Sequence, residues 1–200
     1  MLKRVIIFLA CCHTIIIDKK QGKYNSSSPD ELALVNAAKQ FGFEFKDRDA
    51  DDNIIIHDTR KDEFLKYKLL SLCEFTSTRK RMSCIFRDPQ GKIILMCKGA
   101  DTVITERLNH FSLHSDIFFK TQNYVDSFAD EGLRTLYLAE KIIDEDVFTE
   151  WSEKKRLAAL EIVDREEKVA AVDELIETEL DLIGASAIED KLQDEVADTI

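Results

Sequence analysis

The sequence of 200 residues has little of what marks several classes of protein. Its 2 prolines and 6 glycines are too few for collagen, flexible linkers or low-complexity tracts. Its 5 cysteines show no C-x-x-C spacing, and no histidine pair follows them at zinc-finger distance. Cys11, Cys12 and His13 are consecutive, and adjacent side chains rarely converge on one ion. We therefore expect no metal site, and we expect the thiols to be reduced, buried and cytosolic.

Long apolar runs are also missing. The nearest is the N-terminal stretch, in which Lys3 and Arg4 precede an apolar run from Val5 to Cys12. A secretion signal begins in this way, and that alternative predicts cleavage near Ala10. The run is too short to span a bilayer and is broken by His13, so we favour a buried helix.

Positive charge is scarce in one half of the chain. Residues 1–100 carry 18 Lys and Arg against 13 Asp and Glu, whereas residues 101–200 carry 10 against 26. The net charge of −11 disfavours binding to duplex DNA or RNA, whose phosphates require a basic surface. Positive charge gathers locally at Arg79, Lys80 and Arg81, which suits a small polyanion better than a polymer.

Common catalytic and nucleotide-binding motifs are absent. The sequence contains no G-x-x-x-x-G-K-[ST] loop, no G-x-G-x-x-G turn, no H-E-x-x-H and no G-x-S-x-G. A nucleotide bound to this chain would therefore be held without a glycine cradle, by base stacking and a few cations.

The pattern of elements predicts an α+β domain, an antiparallel sheet with helices packed on it. Ser28, Pro29 and Glu31 form a capping box that starts a helix, whose inward face we expect to hold Leu32, Val35, Ala38 and Phe41. A hairpin is expected from Met82–Phe86 and Lys92–Cys97, joined by a type I turn at 88–91. Helices are further expected at 100–108, at 121–131 with Tyr124, Val125 and Phe128 inward, at 144–179 with a break near Asp164, and at 192–200. The remaining strands are expected at 43–45, 54–56, 67–70, 135–141 and 180–185.

Five ordered segments together resemble the nucleotide-binding domain of P4-type ATPases, the phospholipid flippases of the P-type ATPase family. They are S-P-D-E-L-A-L-V from Ser28, E-F with R-K-R-M-S from Glu74, K-G-A-D from Lys98, E-G-L-R-T-L from Glu131 and G-A-S-A-I-E-D-K-L-Q from Gly184. The resemblance runs from about His13 to the C-terminus. The last segment points to the lipid-flipping branch rather than to ion pumps, and its Asp190 matches a residue near the catalytic centre of the phosphorylation domain.

The resemblance implies a set of ATP-binding residues. It assigns adenine stacking to Phe75, the adenine pocket to Lys98 with Gly99, nucleotide contact to Lys80, and ribose and phosphate contact to Arg134 with its neighbours Thr135 and Leu136. Glu31 is placed at the adenine edge, although the capping box alone already explains a glutamate there. Each residue also has a structural interpretation: Phe75 as core, Lys80 and Lys98 as solvated charges, and Arg134 in an ion pair with Asp130 or Glu131.

The resemblance further implies domain limits and an activity. Residues 1–20 would lead in from the phosphorylation domain, 21–180 would form the nucleotide-binding domain, and 181–200 would begin the return. The intact enzyme would hydrolyse ATP with Mg²⁺ and translocate phospholipid from a cytoplasmic domain of a membrane protein. This chain has no D-K-T-G-T, so catalytic residues are expected only in the remaining phosphorylation, actuator and transmembrane domains. The alternative is an interaction scaffold of the same fold that binds no nucleotide.

Overall fold

A computed structural model describes residues 2–18 and 22–189. Seven strands form one antiparallel sheet whose spatial order follows the chain. They are β3 (Phe43–Arg48), β4 (Asn53–Asp58), β5 (Glu63–Cys73), β6 (Arg81–Arg87), β7 (Ile93–Gly99), β8 (Arg134–Ile143) and β9 (Asp181–Ile188). Two short strands, β1 (Ile16–Asp18) and β2 (Lys23–Asn25), pair separately. The antiparallel sheet confirms the predicted α+β class.

Seven helices flank the sheet in the described part of the chain. They are α1 (Leu2–Cys11), α2 (Pro29–Gln40), α3 (Asp101–Thr105), α4 (His110–Leu113), α5 (Asp116–Asp130), α6 (Glu145–Leu160) and α7 (Arg165–Ile176). None of the helices described is long and apolar enough to cross a membrane.

The sheet separates two hydrophobic cores, because successive residues of a strand point to opposite faces. On one face Met82, Cys84 and Phe86 of β6 lie in a core with α1 and α2. On the other face Ile85 of β6 and Leu95 of β7 lie in a core with α5, α6 and α7. We call these the α2 face and the α7 face.

The N-terminal segment is part of the α2-face core. Helix α1 buries Phe8 and Ala10 completely, and Arg4 forms an ion pair with Glu140 of β8. The prediction of a buried helix is therefore confirmed, and its apolar run is explained by packing.

The central hairpin also follows the prediction. Strands β6 and β7 pair from Arg81 opposite Gly99 to Arg87 opposite Ile93. In the connecting turn the Gly91 amide donates to the Asp88 carbonyl at 3.0 Å, the bond that closes a β-turn.

Several helix details differ from the prediction, since α4 was not expected and α5 begins at Asp116 rather than at 121. Phe41 is 55% exposed because it follows the last residue of α2, where helical periodicity no longer sets its direction. Tyr124 is also exposed and stacks on Phe128 at the surface, while Val125 alone of α5 is fully buried. Helix α3 is shorter than expected, since it ends at Thr105.

The acidic segment from 144 to 179 folds as the predicted broken helix. Asp164 adopts a left-handed conformation between α6 and α7, with φ of 54°. The charges of this segment do not all face solvent, because Asp173 and Glu177 are 4% and 0% exposed. The predicted helix at 192–200 and Asp190 lie outside the described residues.

Candidate functional site

A pocket of about 720 Å³ opens on the α2 face, at the end of β6 and β7 where Arg81 pairs with Gly99. All eight residues that the sequence singles out line it: Glu31, Phe75, Lys80, Lys98, Gly99, Arg134, Thr135 and Leu136. Its volume lies within the range of about 300–1,000 Å³ that small-molecule sites occupy. Residues up to 105 positions apart in the chain, from Glu31 to Leu136, thus meet at one cavity.

Strand register explains part of this convergence. Gly99, the last residue of β7, pairs with Tyr137 of β8. Residues 134–136 therefore extend beyond the end of β7 and pair only with β9. The overhanging segment forms one wall of the pocket, and the first turn of α2 forms another.

The pocket floor is an ion pair between Lys98 and Glu31. The Lys98 ammonium donates to Glu31 Oε1 at 2.8 Å and to the Cys12 carbonyl at 2.8 Å. Glu31 Oε2 accepts from the Thr14 amide at 3.0 Å and from the Thr14 hydroxyl at 2.8 Å. Both charged side chains are less than a tenth exposed. The interpretation of Lys98 as a solvated charge is therefore wrong.

Glu31 remains ionised in this setting. Burial by itself would raise the pKa of Glu31, but the Lys98 charge and the hydrogen bonds from Lys98 and Thr14 lower it below its ordinary value. The pocket floor thus presents a fixed, neutral pair of opposite charges rather than a free cation.

The capping box is only half formed. The Ser28 hydroxyl accepts from the Glu31 amide at 3.4 Å, as a helix cap does. The Ser28 amide, however, donates to the Ser26 hydroxyl at 3.1 Å, and the Glu31 carboxylate turns away to Lys98. The side chain of Glu31 therefore belongs to the pocket, and only its backbone belongs to the cap.

His13 lies beneath the floor and uses both ring nitrogens. Nε2 contacts the Ala10 carbonyl at 3.0 Å, and Nδ1 accepts from the Ile15 amide at 3.1 Å. Burial first and the Lys98 charge second lower the pKa of His13 to about 4, so the ring is neutral at pH 7. Within the described residues no group of three or more His, Cys, Asp or Glu side chains is arranged to hold a metal ion.

Phe75 lies at the pocket mouth with 62% of its surface exposed. It follows β5 in the loop that leads to β6, next to the exposed Glu74. An aromatic ring this exposed contributes little to a core, so the core interpretation of Phe75 is wrong. A planar ring with a free face at a cavity mouth is suited to stacking on a flat ligand.

The basic cluster divides between the two faces of the sheet. Lys80 is exposed and lines the pocket, with a left-handed backbone at φ 49°. Arg79 and Arg81 are 8% and 2% exposed and point to the α7 face. Of these three cations one therefore faces the pocket, and the expectation that the whole cluster serves a small polyanion is wrong.

Glu177, just after α7, binds both buried arginines. Its Oε1 accepts from Arg79 at 2.6 Å and from the Ser83 hydroxyl at 2.5 Å, and its Oε2 accepts from Arg81 at 2.7 Å. Arg81 also pairs with Glu174. Burial lowers the pKa of Arg81, but Glu174 and Glu177 more than offset this and raise it above its ordinary value. We call Arg79, Arg81, Ser83, Glu174 and Glu177 the α7-face network.

Gly99 allows β6 and β7 to approach closely at the pocket. A Cβ atom at Gly99 would lie 2.6 Å from the Arg81 Cβ and 2.7 Å from the Lys80 carbonyl oxygen. That carbonyl accepts from the Ala100 amide at 3.1 Å. A side chain at this position would therefore displace the backbone of Arg81 or Lys80.

The pocket rim holds a second ion pair. Arg134 Nη2 lies 3.0 Å from Asp30 Oδ2, with the two side chains 56% and 21% exposed. The sequence instead suggested Asp130 or Glu131 as the partner of Arg134. The pairing with Asp30 arises because α2 lies across the pocket from β8, a contact that sequence distance cannot reveal.

Other pocket residues had no assigned role. They are Thr14, Ser27, Ser28, Asp30, Leu34, Glu74, Met82 and Ala100. Several lie inside the recognised segments, so adjacency to a motif could have suggested them. Thr14 lies between two predicted elements, and only tertiary structure brings it to Glu31.

Comparison with known proteins shows the family to which the chain belongs. Residues 1–195 match the family described as P-type ATPase, cytoplasmic domain N. The chain is 46% identical over 200 residues to human phospholipid-transporting ATPase IC and 43% identical over 195 residues to human phospholipid-transporting ATPase ID. It is 44% identical over 199 residues to phospholipid-transporting ATPase DRS2 of Saccharomyces cerevisiae. These alignments cover 96–99% of this chain but only 14–16% of the relatives.

Proposed function

This chain belongs to the P-type ATPases, as their cytoplasmic domain N, and from this premise we propose that it binds ATP in the pocket between α2 and β8. It would present the γ-phosphate to a catalytic aspartate that lies outside the chain. The intact protein would be an ATP-hydrolysing phospholipid translocase, as the names of its relatives state for those proteins.

One observation carries the proposal: eight residues chosen from four separate sequence segments line a single cavity. Residues retained only for packing would be distributed between the two cores. Here they surround an open space with an exposed aromatic ring at its mouth.

The pocket residues fit a nucleotide, which combines a flat aromatic base with a polar ribose and charged phosphates. The exposed face of Phe75 offers stacking to adenine, and the polar atoms of Glu31 and Lys98 can receive the edge of the base. Lys80 and Arg134 supply positive charge near the mouth for ribose and phosphates, and a planar guanidinium suits phosphate oxygens. Thr135 and Leu136 complete the wall.

The same residues fit Mg²⁺ less well. Three acidic side chains line the pocket in the described structure, and two of them, Asp30 and Glu31, are paired with cations. This supports the proposal that Mg²⁺ is held mainly by the phosphorylation domain. It also supports a carrier role, in which domain closure brings the bound nucleotide to the reacting aspartate while the isolated chain performs no chemistry.

The remaining assignments follow from the same premise. The partners would be ATP and the phosphorylation, actuator and transmembrane domains of the same protein, with the chain on the cytoplasmic side. Residues 21–180 would be the nucleotide-binding domain proper, flanked by segments that lead from and to the phosphorylation domain.

ATP titration of the isotope-labelled chain, followed by amide shifts, tests the proposal. We expect saturable shifts around Glu31, Phe75, Lys98 and Arg134. Stacking and a few exposed charges suggest about −4 to −5.5 kcal/mol, a Kd of roughly 0.1–1 mM. Phe75→Ala should weaken binding by about 1–3 kcal/mol, roughly five- to 150-fold, because it removes the stacking surface.

Phe111→Ala is the matched control, since Phe111 is 86% exposed and lies outside the pocket. It should leave the ATP affinity unchanged. A folded chain whose amides do not respond to several millimolar ATP would contradict the proposal and favour the interaction scaffold. A Kd below 1 μM would show that the assigned site is incomplete.

A further inference from the structure

Two consecutive acids in the first turn of α2 each pair with a cation across the pocket. Glu31 pairs with Lys98 at the floor, at 2.8 Å, and Asp30 pairs with Arg134 at the rim, at 3.0 Å. The floor pair is enclosed, and its carboxylate receives two further hydrogen bonds from Thr14. The rim pair is open to solvent, with Arg134 56% exposed.

The rim pair involves the cation best placed for a phosphate. A guanidinium binds carboxylate and phosphate oxygens with the same edge, so the two anions compete for Arg134. The Asp30 carboxylate also lies beside the pocket, where it repels a polyphosphate. The floor pair would impose no such competition, because under the proposed function it faces the uncharged base and not the phosphates.

We propose that Asp30 is an internal competitor for the nucleotide phosphates, because its pairing with Arg134 weakens ATP binding. This inference rests on the proposed function. It means that Asp30 lowers the affinity for a nucleotide more strongly as the nucleotide carries more phosphates. Adenosine binds independently of Asp30. ADP and ATP bind only as Arg134 is released, so their affinity contains the cost of breaking the rim pair.

A purely structural role for Asp30 predicts the opposite change. Asp30 lies in the first turn of α2, where a carboxylate interacts favourably with the helix dipole. Removal of its charge should therefore lower the stability of α2 slightly. If Asp30 only shaped the pocket, loss of that charge would weaken all ligands alike.

The test compares Asp30→Asn with Glu145→Gln in the full chain. Glu145 pairs with Arg87 at 2.7 Å in an exposed ion pair and does not line the pocket. Adenosine, ADP and ATP are titrated in EDTA at low salt, and amide shifts give the dissociation constants. EDTA removes any effect of a metal ion bound by Asp30 itself.

Asp30→Asn should bind ATP about two- to fivefold more tightly than the wild type, the range expected for one exposed ion pair. The gain should be smaller for ADP, absent for adenosine, and reduced at high salt. Glu145→Gln should match the wild type for all three ligands.

The outcomes separate the inference from the proposed function. Wild-type binding of ATP with equal or weaker binding by Asp30→Asn overturns the inference alone, as does an equal gain for adenosine. No ATP binding by either protein overturns the proposed function and the inference together. ATP binding by Asp30→Asn but not by the wild type supports the inference, because Asp30 would then prevent ATP binding altogether.

Discussion

The ends of β6 and β7 carry charged side chains on both faces of the sheet, with very different surroundings. On the α2 face Lys98 pairs with Glu31 beside an open pocket of about 720 Å³. On the α7 face Arg81 and Arg79 meet Glu177, which is completely buried. Charged residues at the paired ends of two adjacent strands thus enter either a cavity or a closed network.

The covering helices account for the difference. The later residues of α2 pack on the sheet, whereas its first turn carries acids and borders the open space in front of β8. The segment after α7 lies directly over Arg79 and Arg81. The α2 face is therefore suited to binding and the α7 face to holding the Lys80 turn in place. The charges on the two faces also have different roles. The buried α7-face network contributes to folding, whereas the solvent-exposed pair of Asp30 and Arg134 is accessible to a ligand.

Glu177→Ala should give the largest loss of stability, because it removes the central carboxylate of the buried α7-face network. It leaves two buried arginines without their main carboxylate, and loss of one partner of a buried pair costs about 3–5 kcal/mol. Urea denaturation measures the free energy of unfolding. Glu145→Ala, at the exposed pair with Arg87, should barely move the midpoint. Equal midpoints for both variants would contradict a structural role for the α7-face network.

Gly99→Ala tests the strand contact that joins the two faces. Its Cβ would approach both Arg81 and the Lys80 carbonyl to less than 3 Å, so the β6 backbone must shift. Overpacking of this kind costs about 1–3 kcal/mol, and displacement of Lys80 should weaken ATP binding as well. Gly91→Ala, at a turn with open space around it, is the control for strain alone, since its φ of 86° disfavours alanine. Retention of full ATP affinity by a destabilised Gly99→Ala would show that the two faces are independent.

Glu31→Gln tests the floor pair through pH dependence. The folded-state pKa of Glu31 lies below its ordinary value, so the stability it contributes is present above the unfolded pKa, near 4.3, and is lost as pH falls through the folded value. The variant should be less stable at pH 7 and should lose less stability than the wild type below about pH 4. Denaturation curves between pH 3 and 7 provide the measurement. Parallel curves for the two proteins would contradict the depressed pKa.

Most of the fold was accessible from local patterns. The hairpin of β6 and β7, the break near Asp164 and the buried N-terminal helix follow from periodicity and turn chemistry, and all three are confirmed. The predictions of side-chain burial were wrong at two positions where local sequence patterns do not determine the direction of the side chain. Phe41 lies beyond its helix, and Tyr124 lies at the edge of an amphipathic stripe.

The candidate site shows the same division. Ordered motifs nominated eight residues, because family resemblance preserves residue identity, and the structure places all of them at one pocket. Motifs could not assign the partners: Lys98 to Glu31, Arg134 to Asp30, and Arg81 to Glu177. Each of these contacts joins residues more than 60 positions apart in the chain.

The sequence by itself determined the α+β class, through the periodicity of its elements, and its ordered motifs carried the resemblance that named the family and eight of the residues that line the pocket. Only the tertiary structure decided which charged side chains face the pocket and which are buried in ion pairs. Of Arg79, Lys80 and Arg81, adjacent and similar in sequence, two are buried against Glu177 and one faces the pocket. The reason is physical: Arg79 and Lys80 lie in the turn before β6, where Lys80 has a left-handed backbone, and the elements packed on each face then determine whether a charge meets a carboxylate or an open cavity.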